Sequence, residues 1–389
     1  AGISSFETLS ATGLDSDDYD ADLISGITKL VAAAASGAND VTFKNVTAAN
    51  SNVLVTGTEG VILTLKVDGS ADSVDIEYRT AAGAGLTVAG QTNVTQYETV
   101  NITNGSPVGA IDTGAVTNAS TTTMTFKGSK GITLGTSSST VLSSVDASGM
   151  TGTTGLTMTS NSGTALFPST IIGSPNGTDT LIGGSAADTI SGGGGIDTIS
   201  GAAGADIIKG EAGNDILNGG AGVDNIDAGA GNDQINVSTV TDFISLASPE
   251  TVDGGEGTDT LSFTENTATT ISNTDLHNLK NIEVIEFDGN NTANITLDDT
   301  FFTSNGSTSI KIKDQETTAA LTVSASTVSS ANSIDVTANS AASINESLTG
   351  GAGDDIFRFS TLGNAAALDA SDTVNGGAGT DTLAITAAT

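Results

Sequence analysis

Apolar residues recur along this chain at two spacings. Over residues 174–236 one aliphatic side chain returns every nine residues: Leu181, Ile190, Ile199, Ile208, Leu217, Ile226 and Ile235. Two positions before each stands an aspartate, namely Asp179, Asp188, Asp197, Asp206, Asp215, Asp224 and Asp233. Elsewhere, short runs alternate apolar and polar residues, the period of a half-buried strand. Such runs predict strands at 53–56, 61–67, 73–78, 122–126, 156–159, 309–312 and 333–337. One stretch reads differently. Leu23, Ile24, Ile27, Leu30 and Val31 follow helical spacing after an Asp cluster, which predicts a short helix over about residues 19–35 near the N-terminus.

The nine-residue pattern dictates a geometry. The first six residues of each copy are glycine-rich, as in GGGGIDTIS at 192–200 and GEAGNDILN at 210–218. Glycine reaches positive φ without a Cβ penalty, so these six form a tight turn. The remaining three form a short strand with only the aliphatic pointing inward. Two copies then make one coil of 18 residues, and aspartates 18 apart stack on one edge. Bare carboxylates at about 4.8 Å strand spacing repel one another. A hard divalent cation between them removes that repulsion, and carboxylates with main-chain carbonyls are the ligands calcium prefers. The competing reading, a flexible Gly/Asp-rich linker, does not explain seven in-register copies with an invariant aliphatic.

These nonapeptides resemble the RTX (repeats-in-toxin) family, whose pattern is Gly-Gly-x-Gly-x-Asp-x-aliphatic-x. The resemblance implies a parallel β-roll with a calcium ion between successive turns. It implies that one turn supplies the carbonyls of positions two and four with its Asp. The turn two copies later then supplies the carbonyls of positions one and three with its own. Carried onto this chain, one site joins Gly193, Gly195 and Asp197 to Gly210, Ala212 and Asp215. The further carbonyl ligands implied are Gly192, Gly201 and Gly219 at position one and Gly184 and Gly229 at position two. Gly194 and Ala221 follow at position three, and Gly177, Gly204, Gly213 and Gly231 at position four. Counting pairs gives five ions in the roll. Pro175, Ala228 and Glu211 depart from the glycine pattern.

Single nonapeptides recur at 254–262, 350–358 and 376–384, contributing Asp259, Asp355 and Asp381 with Gly254, Gly351, Gly353 and Gly376. Asp233 to Asp259 and Asp355 to Asp381 both span 26 residues, which predicts a calcium turn, a looped-out excursion and a second calcium turn. That raises the expected total to about seven ions.

Charge and composition narrow the function. The chain has 45 acidic and 11 basic residues in 389, a net charge of −34. This argues against nucleic acid and anionic membrane partners and suits a chain that repels itself until cations bind. The absence of cysteine excludes disulfides and thiolate metal sites. No apolar run approaches the roughly 20 residues of a membrane span. His277 is the only histidine and no Gly-x-Ser-x-Gly elbow occurs, so zinc-protease and serine-hydrolase chemistry is absent and no enzymatic activity is expected.

A longer repeat overlies the nonapeptides. An apolar-Glu motif occurs at Phe6-Glu7, Tyr97-Glu98 and Ile282-Glu283. The segment from Val145 to Asn161 matches that from Val323 to Asn339 at an offset of 178, and each copy leads into nonapeptides. This predicts an all-β chain in five parts. They are a module over 1–95 carrying the helix, strand modules at 96–173 and 263–349, the roll with its extra turn at 174–262, and a two-turn segment at 350–389. Both ends read as cut mid-module. The combination is similar to RTX-type bacterial surface-layer proteins. That implies type I secretion, a cell-surface location and self-assembly into a lattice. Contact with surface polysaccharide is expected only through regions outside this chain. The alternative is a repeat region of a secreted RTX adhesin.

Overall fold

A computed structural model describes residues 97–106, 109–113, 121–134, 142–158, 170–238, 250–264, 268–288, 292–315, 319–338, 344–361 and 370–387, with shorter stretches between 3 and 94 and the positions 116–117, 243 and 368. The chain divides into two compact units, 1–207 and 208–389. The division falls inside the nonapeptide array. Each unit is a parallel β-solenoid.

In the first unit, one sheet stacks Thr8–Ala11, Lys29–Ala32, Asn52–Val55, Ser73–Tyr78, Thr99–Asn104, Thr123–Gly128, Ser144–Met150, Thr170–Ile172 and Thr189–Gly194 in that order. A second stacks Leu86–Thr87, Ile111–Asp112, Ile132–Leu134, Thr154–Met158, Thr178–Ile182 and Thr198–Ser200. Each strand pairs in parallel with its equivalent one coil away. Val100 and Ile102 lie between Val74 and Ile76 on one side and Met124 and Phe126 on the other. All six are buried, because alternation sends every second residue inward. The coil takes 24 residues at Val100↔Met124 and contracts to 18 in the nonapeptides, at Leu181↔Ile199.

The second unit repeats the plan. One sheet runs Ile216–Asn218, Gln234–Val237, Thr260–Phe263, Val284–Phe287, Ser309–Asp314, Ser333–Ala338, Ile356–Thr361 and Thr382–Ala387. Opposite it lie Asn225–Asp227, Thr251–Asp253 and Leu279–Lys280. Further along come Thr269–Ile271, Ala293–Thr296, Leu321–Ser324, Ser347–Thr349 and Thr373–Asn375. Leu217, Ile235, Leu261 and Ile285 form one buried column through the nonapeptide strands and the next strand. Beside it Phe263 stacks on Phe287 at 5.5 Å and meets Phe243 edge-on at 5.4 Å.

Every strand read from alternation is present, with ends shifted by up to two residues. The N-terminal helix is not. Its span carries the strands Asp18–Asp20, Ile24–Ser25 and Lys29–Ala32. Ile24 pairs with Ile3, and the buried Leu30 lies between Leu9 and Val53. Stacking on equivalent strands one coil away overrides the local helical periodicity. A short helix occurs instead at Asp299–Asn305, capped by the Asp298 carboxylate, which accepts from the N–H groups of Thr300 and Phe301.

Candidate metal centre

The nonapeptide turns build an edge from aspartate and glycine. Asp179, Asp188, Asp197, Asp206, Asp215, Asp224, Asp233, Asp259 and Asp355 are all at most 3% exposed, whereas Asp381 is exposed. One oxygen of each paired carboxylate does the same job. Asp197 Oδ1 accepts from Asp179 N (2.8 Å), Asp206 Oδ1 from Asp188 N (2.7 Å) and Asp233 Oδ1 from Asp215 N (2.7 Å). Asp259 Oδ1 accepts from Asp233 N (2.8 Å) and Asp381 Oδ1 from Asp355 N (3.0 Å). The stacking expected for aspartates two copies apart is thus present within each unit. The 26-residue spacings obey it too. The strands that follow keep their register, since Thr251–Asp253 pairs with Asn225–Asp227 and Thr373–Asn375 with Ser347–Thr349.

Glycine is required where turns stack. Gly231 (φ +149°) and Gly257 (φ +143°) occupy backbone that L side chains rarely adopt. A methyl on Gly257 would overlap the Gly231 carbonyl oxygen, and one on Gly231 would overlap that of Gly213. Groups at positions two, three and four also bond between turns: Ala230 N donates to Glu211 O (2.7 Å), Glu256 N to Gly229 O (2.7 Å) and Gly231 N to Glu256 O (2.8 Å). At position two Glu211 and Ala202 adopt φ near +75°, the left-handed conformation that glycine takes more easily.

The second carboxylate oxygen distinguishes one turn from another. Asp179 Oδ2 accepts from both Ser174 N (2.8 Å) and Ser174 Oγ (2.7 Å), Asp188 Oδ2 from Gly184 N (2.7 Å) and Asp355 Oδ2 from Gly351 N (2.8 Å). Asp233 Oδ2 and Asp259 Oδ2 are buried with no hydrogen-bond partner. Leaving such an atom unsatisfied is costly. Burial accordingly raises the Asp233 carboxyl and pushes Asp259 up to about 6, where Asp233, Glu283 and Asp253 add repulsion. Among the described residues no cluster of three or more acidic or histidine side chains could hold a metal alone. A cation here must therefore combine one or two carboxylates with main-chain carbonyls. All of these donors are oxygen, which fits calcium.

The sequence model of the RTX calcium-binding nonapeptide repeat matches four copies, at residues 176–208, 200–235, 343–358 and 366–384. The chain carries RTX calcium-binding nonapeptide repeats, folded as a parallel β-roll. Its repeats imply calcium binding. No curated protein matches the chain.

Two features of the RTX edge were not read from sequence. Position five carries an acceptor ladder: Asn214 Oδ1 takes Asn232 N, Asn232 Oδ1 takes Thr258 N (both 2.8 Å), and Asp354 Oδ1 takes Thr380 N (2.7 Å). The recurrence of Asn or Asp before the invariant aspartate was its signal. Glutamates outside the repeats also imitate the aspartate. Glu98 accepts from Asp72 N (2.9 Å), Glu283 from Asp259 N (2.9 Å) and Glu346 from Leu321 N (2.7 Å). Glu98 and Glu283 belong to the apolar-Glu motif; its first copy, Phe6-Glu7, lies outside the described residues.

Proposed function

We propose that this RTX protein is a structural, non-catalytic component of a bacterial surface layer. After type I secretion it folds on extracellular calcium and assembles with copies of itself into a two-dimensional lattice. RTX repeats are typical of secreted proteins, and among the described residues no helix is long and apolar enough to cross a membrane. The observation that carries the reading is the continuity of the stack inside each unit. Calcium turns and Ser/Thr-rich coils share the same sheets, as where Gln234–Val237, Thr260–Phe263 and Val284–Phe287 pair in succession. Ordering a calcium turn therefore templates the coils beside it. Extracellular calcium modules bind at about 10⁻⁴ to 10⁻³ M, so the chain stays open in the cell and closes outside. A net charge of −34 favours the open form until cations arrive.

The test is a calcium titration followed by circular dichroism, with negative-stain electron microscopy at each step. β-Structure that appears with calcium and is followed by ordered sheets supports the lattice. A calcium-folded chain that stays monodisperse rejects it in favour of an adhesin region.

A further inference from the structure

We propose that Asn281 and Glu283, which lie outside every nonapeptide, close an additional calcium site against the turn of residues 254–259. The inference rests on the reading of the carboxylate edge as a calcium edge, and extends it to residues that the repeat pattern does not contain.

The argument is one of structural equivalence. Between successive calcium turns the position-one residue keeps a fixed set of neighbours. Its N–H donates to the residue just before the next turn: Gly183 N to Ser200 O and Gly350 N to Asn375 O, both at 2.8 Å. A methyl built on it would meet the next turn's position-one carbonyl and its own turn's Asp Oδ2. For Gly183 these are Gly201 O and Asp188 Oδ2, and for Gly350 they are Gly376 O and Asp355 Oδ2. Gly254 has the same surroundings with no nonapeptide after it. Gly254 N donates to Lys280 O at 2.9 Å. A methyl on Gly254 would lie 2.8 Å from Asp259 Oδ2 and closer still to Asn281 O. Asn281 thus takes position one of a following turn.

Glu283 completes the equivalence. It accepts from Asp259 N at 2.9 Å, as Asp259 accepts from Asp233 N at 2.8 Å. The six residues from position one to the aspartate are compressed into three, Asn281, Ile282 and Glu283. The longer glutamate side chain covers the missing length. Asn281 sits at φ +51°, and its side chain donates to Asp253 Oδ1 at 2.7 Å.

The independent sign of a ligand is Asp259 Oδ2. Asp259 is 0% exposed, and this oxygen has no hydrogen-bond donor. At the first repeat turn the equivalent oxygen is satisfied by the N–H and hydroxyl of Ser174, so no cation is called for there. At Asp259 a cation meets the need, drawing on the Asp259 and Glu283 carboxylates, the Asn281 carbonyl and carbonyls of the preceding turn.

Calcium bound per chain is counted by equilibrium dialysis for the wild type, Glu283→Gln, Glu283→Asp and Glu98→Gln, with circular dichroism in saturating calcium confirming the fold. Glu283→Gln keeps the acceptor for Asp259 N but removes the charge, and is expected to lose one ion. Glu283→Asp keeps the charge and is expected to retain that ion at reduced affinity. Glu98→Gln makes the same chemical change beside Asp72, away from any nonapeptide, and is expected to lose none. If Glu283 served only as a hydrogen-bond acceptor, Gln would be tolerated and the shorter Asp would not, with no change in ion count. That pattern overturns the proposal. A wild-type chain that binds no calcium overturns the calcium reading of the whole edge instead.

Discussion

Asp233→Asn should act in opposite directions with and without calcium. Asp233 joins two turn interfaces inside the second unit: its Oδ1 accepts from Asp215 N, and its own N–H donates to Asp259 Oδ1. Asparagine keeps an acceptor for the first bond and leaves the second untouched. What it removes is a buried negative charge that, on the proposed calcium reading, two cation sites share. A site held at about a hundredfold excess of calcium over its dissociation constant adds about 2.7 kcal/mol to stability, so losing two removes about 5 kcal/mol. Asp381→Asn is the comparison. Asp381 is exposed and accepts from Asp355 N at a single interface, so its loss is limited to about 2.7 kcal/mol.

In chelator the sign changes. Burial raises the Asp233 carboxyl, so the folded calcium-free chain holds this charge at a cost that asparagine avoids. Asp233→Asn should then be no less stable than the wild type. The assay is urea unfolding of the wild type and both variants, in excess calcium and in chelator, with bound calcium counted in parallel. Equal losses for Asp233→Asn and Asp381→Asn would refute the two-interface geometry. An equal loss for Asp233→Asn in calcium and in chelator would show that the residue acts as a hydrogen-bond acceptor alone.

Three other perturbations test other parts of the structure. Leu217→Ala should cost about 2–5 kcal/mol in urea unfolding, because Leu217 is fully buried against Ile235, while its neighbour Ile216, 40% exposed, should tolerate alanine within about 1 kcal/mol. Gly257→Ala should raise the calcium midpoint measured by circular dichroism, since its methyl collides with the Gly231 carbonyl; Gly306→Ala, also at positive φ but with only an ordinary contact, 3.7 Å to Asn281 Oδ1, should leave that midpoint unchanged. Burial pushes the Glu346 carboxyl up to about 8 from 4.5, with Asp314 and Asp372 adding repulsion against the bond from Leu321 N. The folded chain therefore retains a proton that the unfolded chain releases, and this stability is full below about pH 4.5 and lost as pH rises through about 8. Glu346→Gln keeps the acceptor and should flatten that fall in the urea midpoint measured at constant calcium.

The roll was legible because three chemical needs fall at fixed spacing. Turn glycine, edge aspartate and inward aliphatic each sit in one column of the nine-residue pattern, and the Leu217–Ile235–Leu261 column follows from it directly. Strands such as Ser73–Tyr78 were legible from strict alternation. The failure over residues 19–35 has the same origin as these successes. A solenoid strand is stabilised mainly by its equivalent one coil away, so Leu30 answers to Leu9 and Val53 rather than to residues four along its own chain. The role of Glu283 was hidden for a related reason. The apolar-Glu motif is visible as a repeat, but that its carboxylate meets Asp259 N, 24 residues back, depends on a register that no local pattern specifies.

Calcium turns and long coils in this chain share one joint, a carboxylate that accepts a main-chain N–H one coil back. Glu98 and Glu346 make it at Asp72 and Leu321, 26 and 25 residues back, and the aspartates make it 18 or 26 residues back. The difference lies in how the rest of the carboxylate is satisfied. In a long coil a proton can meet the need, as at Glu346, where burial pushes the carboxyl up to about 8. An 18-residue coil has six glycine-rich residues per turn, whose amides partly pair with carbonyls of the neighbouring turn, as Ala230 N does with Glu211 O. Where a local donor remains, as with Ser174 at Asp179 or Gly351 at Asp355, a hydrogen bond meets part of the need of the second oxygen. Where none remains, as at Asp233 and Asp259, the oxygen needs a cation. The demand for calcium is therefore uneven along the edge.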